Sequence, residues 1–173
     1  MQLTEPSAPV LAETEATYIR SLQREDRKHI YQLLEETGVF TEEEISIAIE
    51  LVDTVLDKPG QQDYIIYSCL SNGEVTGYYC IGPTPATGGT FDLYWIAVKP
   101  SAQGKGIGGM LNTHAERLVQ SLNGRLLIAE TSSQLKYQNT RKFYVNHGYS
   151  ELARIAHYYQ PGDDLVVYGK YLS

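Results

Sequence analysis

Between Leu93 and Leu122 an apolar run, Leu93–Val98, leads through four glycines in six positions (Gly104, Gly106, Gly108 and Gly109) into a segment with helical periodicity. That order reads as strand, tight loop and helix, which commits the chain to an α/β unit. Glycine lets the backbone turn tightly and keeps side chains out of the loop. The helix that follows begins with unpaired N–H groups, and its dipole favours an anion there. A phosphate is therefore the expected ligand of Gln103–Gly108.

The rest of the chain supplies the remaining elements. Tyr18–Leu22 reads as a strand. Arg24–Glu36 places Ile30, Leu33 and Leu34 on one helical side and stops at Gly38. Thr41 and Glu44 form a capping box for a second helix, with Ile45, Ala48, Ile49, Val52, Val55 and Leu56 at helical spacing. Tyr64–Leu70 and Val75–Ile81 flank Asn72-Gly73, a hairpin signal. Gly82–Thr90 is a loop and Phe91–Val98 a strand. The helix after the glycines has an expected buried stripe of Ile107, Leu111, Ala115, Leu118 and Leu122. Arg125–Thr131 is a short strand and Tyr137–Asn146 a helix. Tyr149–Tyr159 and Leu165–Tyr171 are strands around the turn Pro161–Asp164.

The order β-α-α-β-β-β-α-β-α-β-β gives an α/β (α+β) domain with a mixed sheet of about seven strands and four helices. The strand–glycine loop–helix–strand unit is expected to be a right-handed parallel crossover. Residues 1–16, with Pro6 and Pro9 among small and acidic residues, read as a flexible leader, and 17–173 as a single domain.

A formal net charge of −7 argues against a non-specific nucleic-acid or anionic-membrane partner and suits a cationic substrate. No apolar run approaches the ~18 residues of a membrane span. The start lacks the basic and apolar regions of a secretory signal, so a cytoplasmic location is the default. In a two-residue hairpin, Cys69 faces Thr76 and Cys80 faces Ile65. That separates the thiols by roughly 13 Å along the ladder, too far for a disulfide. They read as small core residues. No histidine pair has metal-ligand spacing, and no metal is expected.

Three phosphate loops compete. A P-loop ends in Gly-Lys-Ser/Thr, but Gly104-Lys105 is followed by Gly106, so the hydroxyl that binds Mg²⁺ is missing. A dinucleotide fingerprint follows a first strand and has an acidic residue ~20 positions on, whereas these glycines follow the fourth strand. The third fits better: Gln103-x-x-Gly106-x-Gly108 resembles the Gln/Arg-x-x-Gly-x-Gly/Ala signature of the GNAT N-acetyltransferase superfamily. The string Trp95–Gly108 resembles that family throughout, and the element order from Tyr18 to Leu172 is also the family's.

The resemblance implies an acetyl-CoA site. Backbone N–H groups of Gln103, Gly104, Lys105, Gly106, Ile107 and Gly108 are expected to cradle the pyrophosphate, with the Lys105 side chain as an added charge. The strand Ile96-Ala97-Val98 is expected to pair its backbone with the pantetheine amides, as a strand beside a splayed neighbour can. Asn139, Thr140 and Arg141 are further candidates for CoA contact.

Tyr144, in Phe143-Tyr144-x-x-x-Gly148-Tyr149, resembles the family's tyrosine beside the CoA sulfur, and a phenol can give the leaving thiolate a proton. The helix departs from the commoner Asn-x-x-Ala-x-x-x-Tyr, with Tyr137 and Thr140 in place of the Asn and Ala. Two carboxylates compete as base. Asp92 lies six residues before Val98, where histone-acetylating members carry a glutamate, and strict alternation puts it on the face of Tyr94, Ile96 and Val98. Glu130 ends the next parallel strand, where open α/β sheets bind ligands. Tyr31, Phe40, Tyr78, Tyr79, Tyr94, Tyr158 and Tyr159 are candidates to line the acceptor pocket, with His157 beside them. His114 and His29 read as surface residues and His147 as a helix C-cap.

The expected activity is direct acetyl transfer from acetyl-CoA to a primary amine of a small molecule, amino acid or peptide. A protein lysine or N-terminal acetyltransferase and a non-catalytic CoA-binding module are the alternatives. Family members often dimerise, so a homodimer is a further expectation.

Overall fold

The computed structural model describes residues 16–173, so the expected leader falls outside them except for Ala16. β1 (Thr17–Ser21) leads into α1 (Asp26–Thr37), which stops at Gly38 in the left-handed region at φ +64°. α2 (Glu42–Asp57) starts with the expected capping box: Thr41 accepts from the Glu44 N–H, and the Glu44 carboxylate accepts from the Thr41 N–H. β2 (Ile65–Ser71) and β3 (Glu74–Pro83) join through Asn72 and Gly73, both at positive φ, as a primed hairpin turn requires.

β4 (Thr90–Val98) is followed by a 3-10 turn at Pro100–Ala102, the glycine loop and α3 (Ile107–Ser121). Then come β5 (Leu126–Ser132), a 3-10 turn at Leu135–Tyr137, α4 (Gln138–Asn146), β6 (Ser150–Gln160) and β7 (Asp163–Tyr171). The sequence places the seven strands and four helices in this order but not the two 3-10 turns.

The sheet runs β1-β2-β3-β4-β5-β7-β6. One apolar layer, built on Ile30, Leu33, Leu34, Ala48 and Val52, packs α1 and α2 against one face. The other, built on Ile107, Leu111, Ala115, Val119 and Tyr144, packs α3 and α4 against the opposite face. Two bulges alter the expected registers. One between Cys69 and Leu70 puts Cys69 opposite Gly77 and Cys80 opposite Ile66. Both thiols are free and buried, in different layers. The other leaves Tyr94 as the extra residue between Leu93, opposite Ile81, and Trp95, opposite Cys80.

The buried stripe of α3 also differs from expectation. Val119 and Asn112 are buried while Leu122 is exposed, because the helix ends at Ser121 and Leu122 is already its C-cap. The β4–β5 pairing decides where a ligand can enter. It is parallel, as expected, but covers only Thr90–Asp92 against Leu126–Ile128. Beyond it β4 stays with β3 and β5 stays with β7, so the middle of the sheet opens.

Candidate active site

The opening exposes one backbone edge of β4. The Lys99 N–H bonds Thr76 O at 2.8 Å, which makes Lys99 and Ala97 residues that bond toward β3. By the alternation of an antiparallel ladder, the N–H and C=O groups of Ile96 and Val98 point the other way, toward the departing β5. The Gln103 side chain donates to Val98 O at 3.2 Å and so ties the strand end to the loop.

The loop itself is a run of unpaired donors. Gly104 and Gly106 stand at φ +76° and +81°, and a Cβ at either would meet open space. Gly106 is the N-cap of α3, so the N–H groups of Ile107, Gly108 and Gly109 have no carbonyl a turn below them. Those of Gly104, Lys105 and Gly106 have no backbone acceptor among the described residues. The Gln103 N–H is taken by Pro100 O, so the free run begins at Gly104 and not at Gln103.

A cleft of about 420 Å³ follows this surface. Of the candidate CoA-contacting residues, Ile96, Ala97, Val98, Gln103, Gly104, Gly106, Ile107, Gly108, Asn139 and Thr140 line it. Lys105 is exposed and Arg141 donates to Ser132 O and Gln134 O; neither lines the cleft. Sequence reasoning missed Phe143 and His147, which come from α4. A Cβ on Gly108 would sit 3.1 Å from the Phe143 ring, and one on Gly109 the same distance from His147. Those glycines let α3 and α4 approach.

A second cleft of about 570 Å³ continues from the first across Ile96 and Thr140, which line both. Its walls carry Phe40, Tyr94, Trp95, Tyr137 and Tyr159, with the carboxylates of Glu43, Glu44, Glu130 and Asp163. Two ties hold the α1–α2 loop and the first turn of α2 to the turn before α4: Tyr137 donates to Glu44 at 2.8 Å and Lys136 to Val39 O at 3.1 Å. Of the aromatic candidates, Phe40, Tyr94 and Tyr159 line this cleft. Tyr78 and Tyr79 do not, since both are fully buried in the core. Tyr31 and Tyr158 are exposed outside it, and His157 turns back to its own hairpin, where its ring accepts the Gly162 N–H.

Tyr144 lies in this second cleft. It is 5 % exposed and packed against Tyr149 and Tyr168, with ring centroids 5.3 and 5.6 Å away. Its hydroxyl has no hydrogen-bond partner among the described residues, and burial pushes its pKa above the ordinary 10. A buried chain fixes the helix that carries it. Tyr149 donates to Asn112, Asn112 to Glu116, and Lys170 bridges Glu116 and His147 O.

The two carboxylate candidates part here. Glu130 lines the second cleft and has no hydrogen bond or ion pair among the described residues. Asp92 accepts from Thr84 at 2.6 Å and from Tyr94 at 3.5 Å, and is not among the residues lining either cleft. Strict alternation fails because of the extra residue at Tyr94. Phe91 and Leu93 share the α3–α4 face with Ile96 and Val98, so Asp92 lies on the opposite face from Ile96 and Val98. Burial, with Asp92 beside it, raises the Tyr94 phenol to about 12.

The acetyltransferase (GNAT) domain family matches residues 62–151. A protein from Desulfovibrio desulfuricans described as a GNAT-family acetyltransferase is 40% identical, spans 91% of this chain and 100% of its own, and superposes with a TM-score of 0.88. The ribosomal-protein-S18-alanine N-acetyltransferase of Escherichia coli is 19% identical over 91% of this chain and 95% of its own, TM-score 0.72. The PaiA N-acetyltransferase of Thermoplasma acidophilum, solved with coenzyme A, is 18% identical over 90% and 99%, also at 0.72. At the two lower identities the likeness is one of fold. No curated protein matches the chain. The family match and the close relative agree with the glycine loop and the opened sheet: this chain belongs to the GNAT family of acetyltransferases.

Proposed function

We propose that the enzyme moves an acetyl group from acetyl-CoA directly to the primary amine of a small molecule or short peptide. The observation that carries this reading is the meeting of the two clefts at Ile96 and Thr140, with Tyr144 in the second. The first cleft fits the donor: a run of free N–H groups suits a pyrophosphate, and the open edge of β4 suits pantetheine amides. When bound, acetyl-CoA supplies a thioester carbon to an amine.

The chain's own groups then have distinct tasks. The attacking amine must be neutral, so a proton leaves it first; in this reading Glu130, which lines the cleft without a hydrogen bond or ion pair among the described residues, passes that proton to water. In the same reading the departing sulfur takes its proton from the Tyr144 phenol as the N–C bond replaces the C–S bond. The phenol's raised pKa keeps it protonated at neutral pH. The ties from Lys136 and Tyr137 bridge the α1–α2 loop and the first turn of α2 to the opposite wall, which favours a small acceptor over a lysine in a folded protein.

Tyr144→Phe tests the assignment. It is expected to lower kcat by about 10²-fold while leaving the dissociation constant for acetyl-CoA unchanged, as calorimetry would show. Unchanged kcat would remove Tyr144 from the chemistry. Acetyl-CoA binding with no turnover on any amine would make the protein a CoA-binding module.

A further inference from the structure

We infer that the acceptor carries a second cationic group, held apart from the nitrogen that reacts, so that the substrate class is an aliphatic diamine or polyamine. This rests on the reading of the second cleft as an amine site and makes that reading specific.

Four carboxylates face the cleft against one ammonium, that of Lys136. The Lys136 ammonium is itself occupied, donating to Val39 O and lying 5.0 Å from the Tyr137 ring centroid. Glu44 and Asp163 are satisfied only by neutral donors: a Thr41 N–H and the Tyr137 phenol for the first, the Ser132 hydroxyl and Gln134 amide for the second. No cationic side chain among the described residues pairs with either of them. Glu43 and Glu130 have no partner among the described residues.

Tyr144 supplies the independent mark of a ligand. It is nearly fully buried, lines the same cleft, and has no partner for its hydroxyl among the described residues. It fixes the reacting end of the cleft.

The chemistry at that end then decides the class of acceptor. The reacting nitrogen must give up its proton before it attacks, so it arrives without charge. A monoamine would therefore leave the cleft's negative charge unmatched at the moment of reaction. A second ammonium keeps its charge throughout and is drawn to the carboxylates. The faces of Phe40, Trp95 and Tyr159 suit both a methylene spacer and an ammonium. Tyr159 lies among the same groups: burial raises its phenol most, and Glu130, with Asp163 and Glu44, adds to the rise.

The test compares diaminobutane with butylamine under saturating acetyl-CoA, in wild type and in Glu43→Gln. Glu43 sits in the exposed first turn of α2, where the amide is tolerated. The diamine is expected to have a kcat/KM at least about tenfold higher than the monoamine. Glu43→Gln should raise KM for the diamine severalfold and KM for butylamine less, so that the diamine's advantage in kcat/KM shrinks. Equal kcat/KM for the two amines would overturn the inference while leaving amine acetylation intact. If neither amine is acetylated by protein that binds acetyl-CoA, the amine reading fails and the inference with it.

Discussion

Gly106 concentrates the demands of the first cleft in one residue. It caps α3, turns the backbone at φ +81°, and stands in a loop whose N–H groups have no backbone acceptor among the described residues. Alanine fits the open space but not the conformation, so Gly106→Ala should cost about 1 kcal/mol of stability. Gly106→Asp adds a carboxylate beside the expected pyrophosphate and should weaken acetyl-CoA binding by more than about 100-fold, measured by calorimetry against the alanine variant. Equal binding by both variants would refute the cradle. Gly106 and Tyr144 were legible in the sequence because a left-handed turn demands glycine and because their spacing matches a family signature. The position of Asp92 was not legible. Its face depends on one extra residue at Tyr94, and nothing in the local composition announces a bulge. The same limit separates Tyr159, which lines the cleft, from Tyr78 and Tyr79, which fill the core. All three are tyrosines in strands, and only the packed sheet decides which way each points.

Helix α2 shows what an element reveals of itself and what it hides. Its capping box could be read from Thr41 and Glu44 because both partners are local. The second contact of Glu44 could not, since Tyr137 lies 93 residues further along the chain. Thr41→Ala should lower stability by about 1 kcal/mol in denaturant titration. It also frees one end of the wall that Glu44 and Tyr137 hold together, so KM for the acceptor should rise more than that for acetyl-CoA. The 3-10 turn at Leu135–Tyr137, which carries Tyr137 to this contact, escaped the sequence because three residues are too few to show a period.

At the scale of the molecule, two apolar layers grip one sheet, and a polar contact joins α3 to β3 within the second. The Tyr79 hydroxyl meets His114 Nδ1 at 2.8 Å, with the Tyr67 ring beside it. His114 is thus not the surface residue that helical spacing predicts. Burial, and then Arg117, depress its pKa below 6.5. The folded protein therefore resists protonating it, while the unfolded chain takes up a proton near 6.5. Its contribution is fully present above about pH 6.5 and is lost as pH falls from there toward the depressed folded value. Urea midpoints should decline over that window in wild type and decline less in His114→Gln; parallel declines would assign the effect to other groups.

The opening between β4 and β5 separates two kinds of information. The free N–H groups of the glycine loop and the open edge of β4 are main chain, whose donors and acceptors do not depend on the side chains beside them. The walls beyond Ile96 and Thr140 are rich in aromatic and carboxylate residues. Substitutions there can alter what the second cleft accepts without disturbing the first. A change of acceptor is therefore a short mutational step for this architecture, whereas a change of donor would require a different backbone.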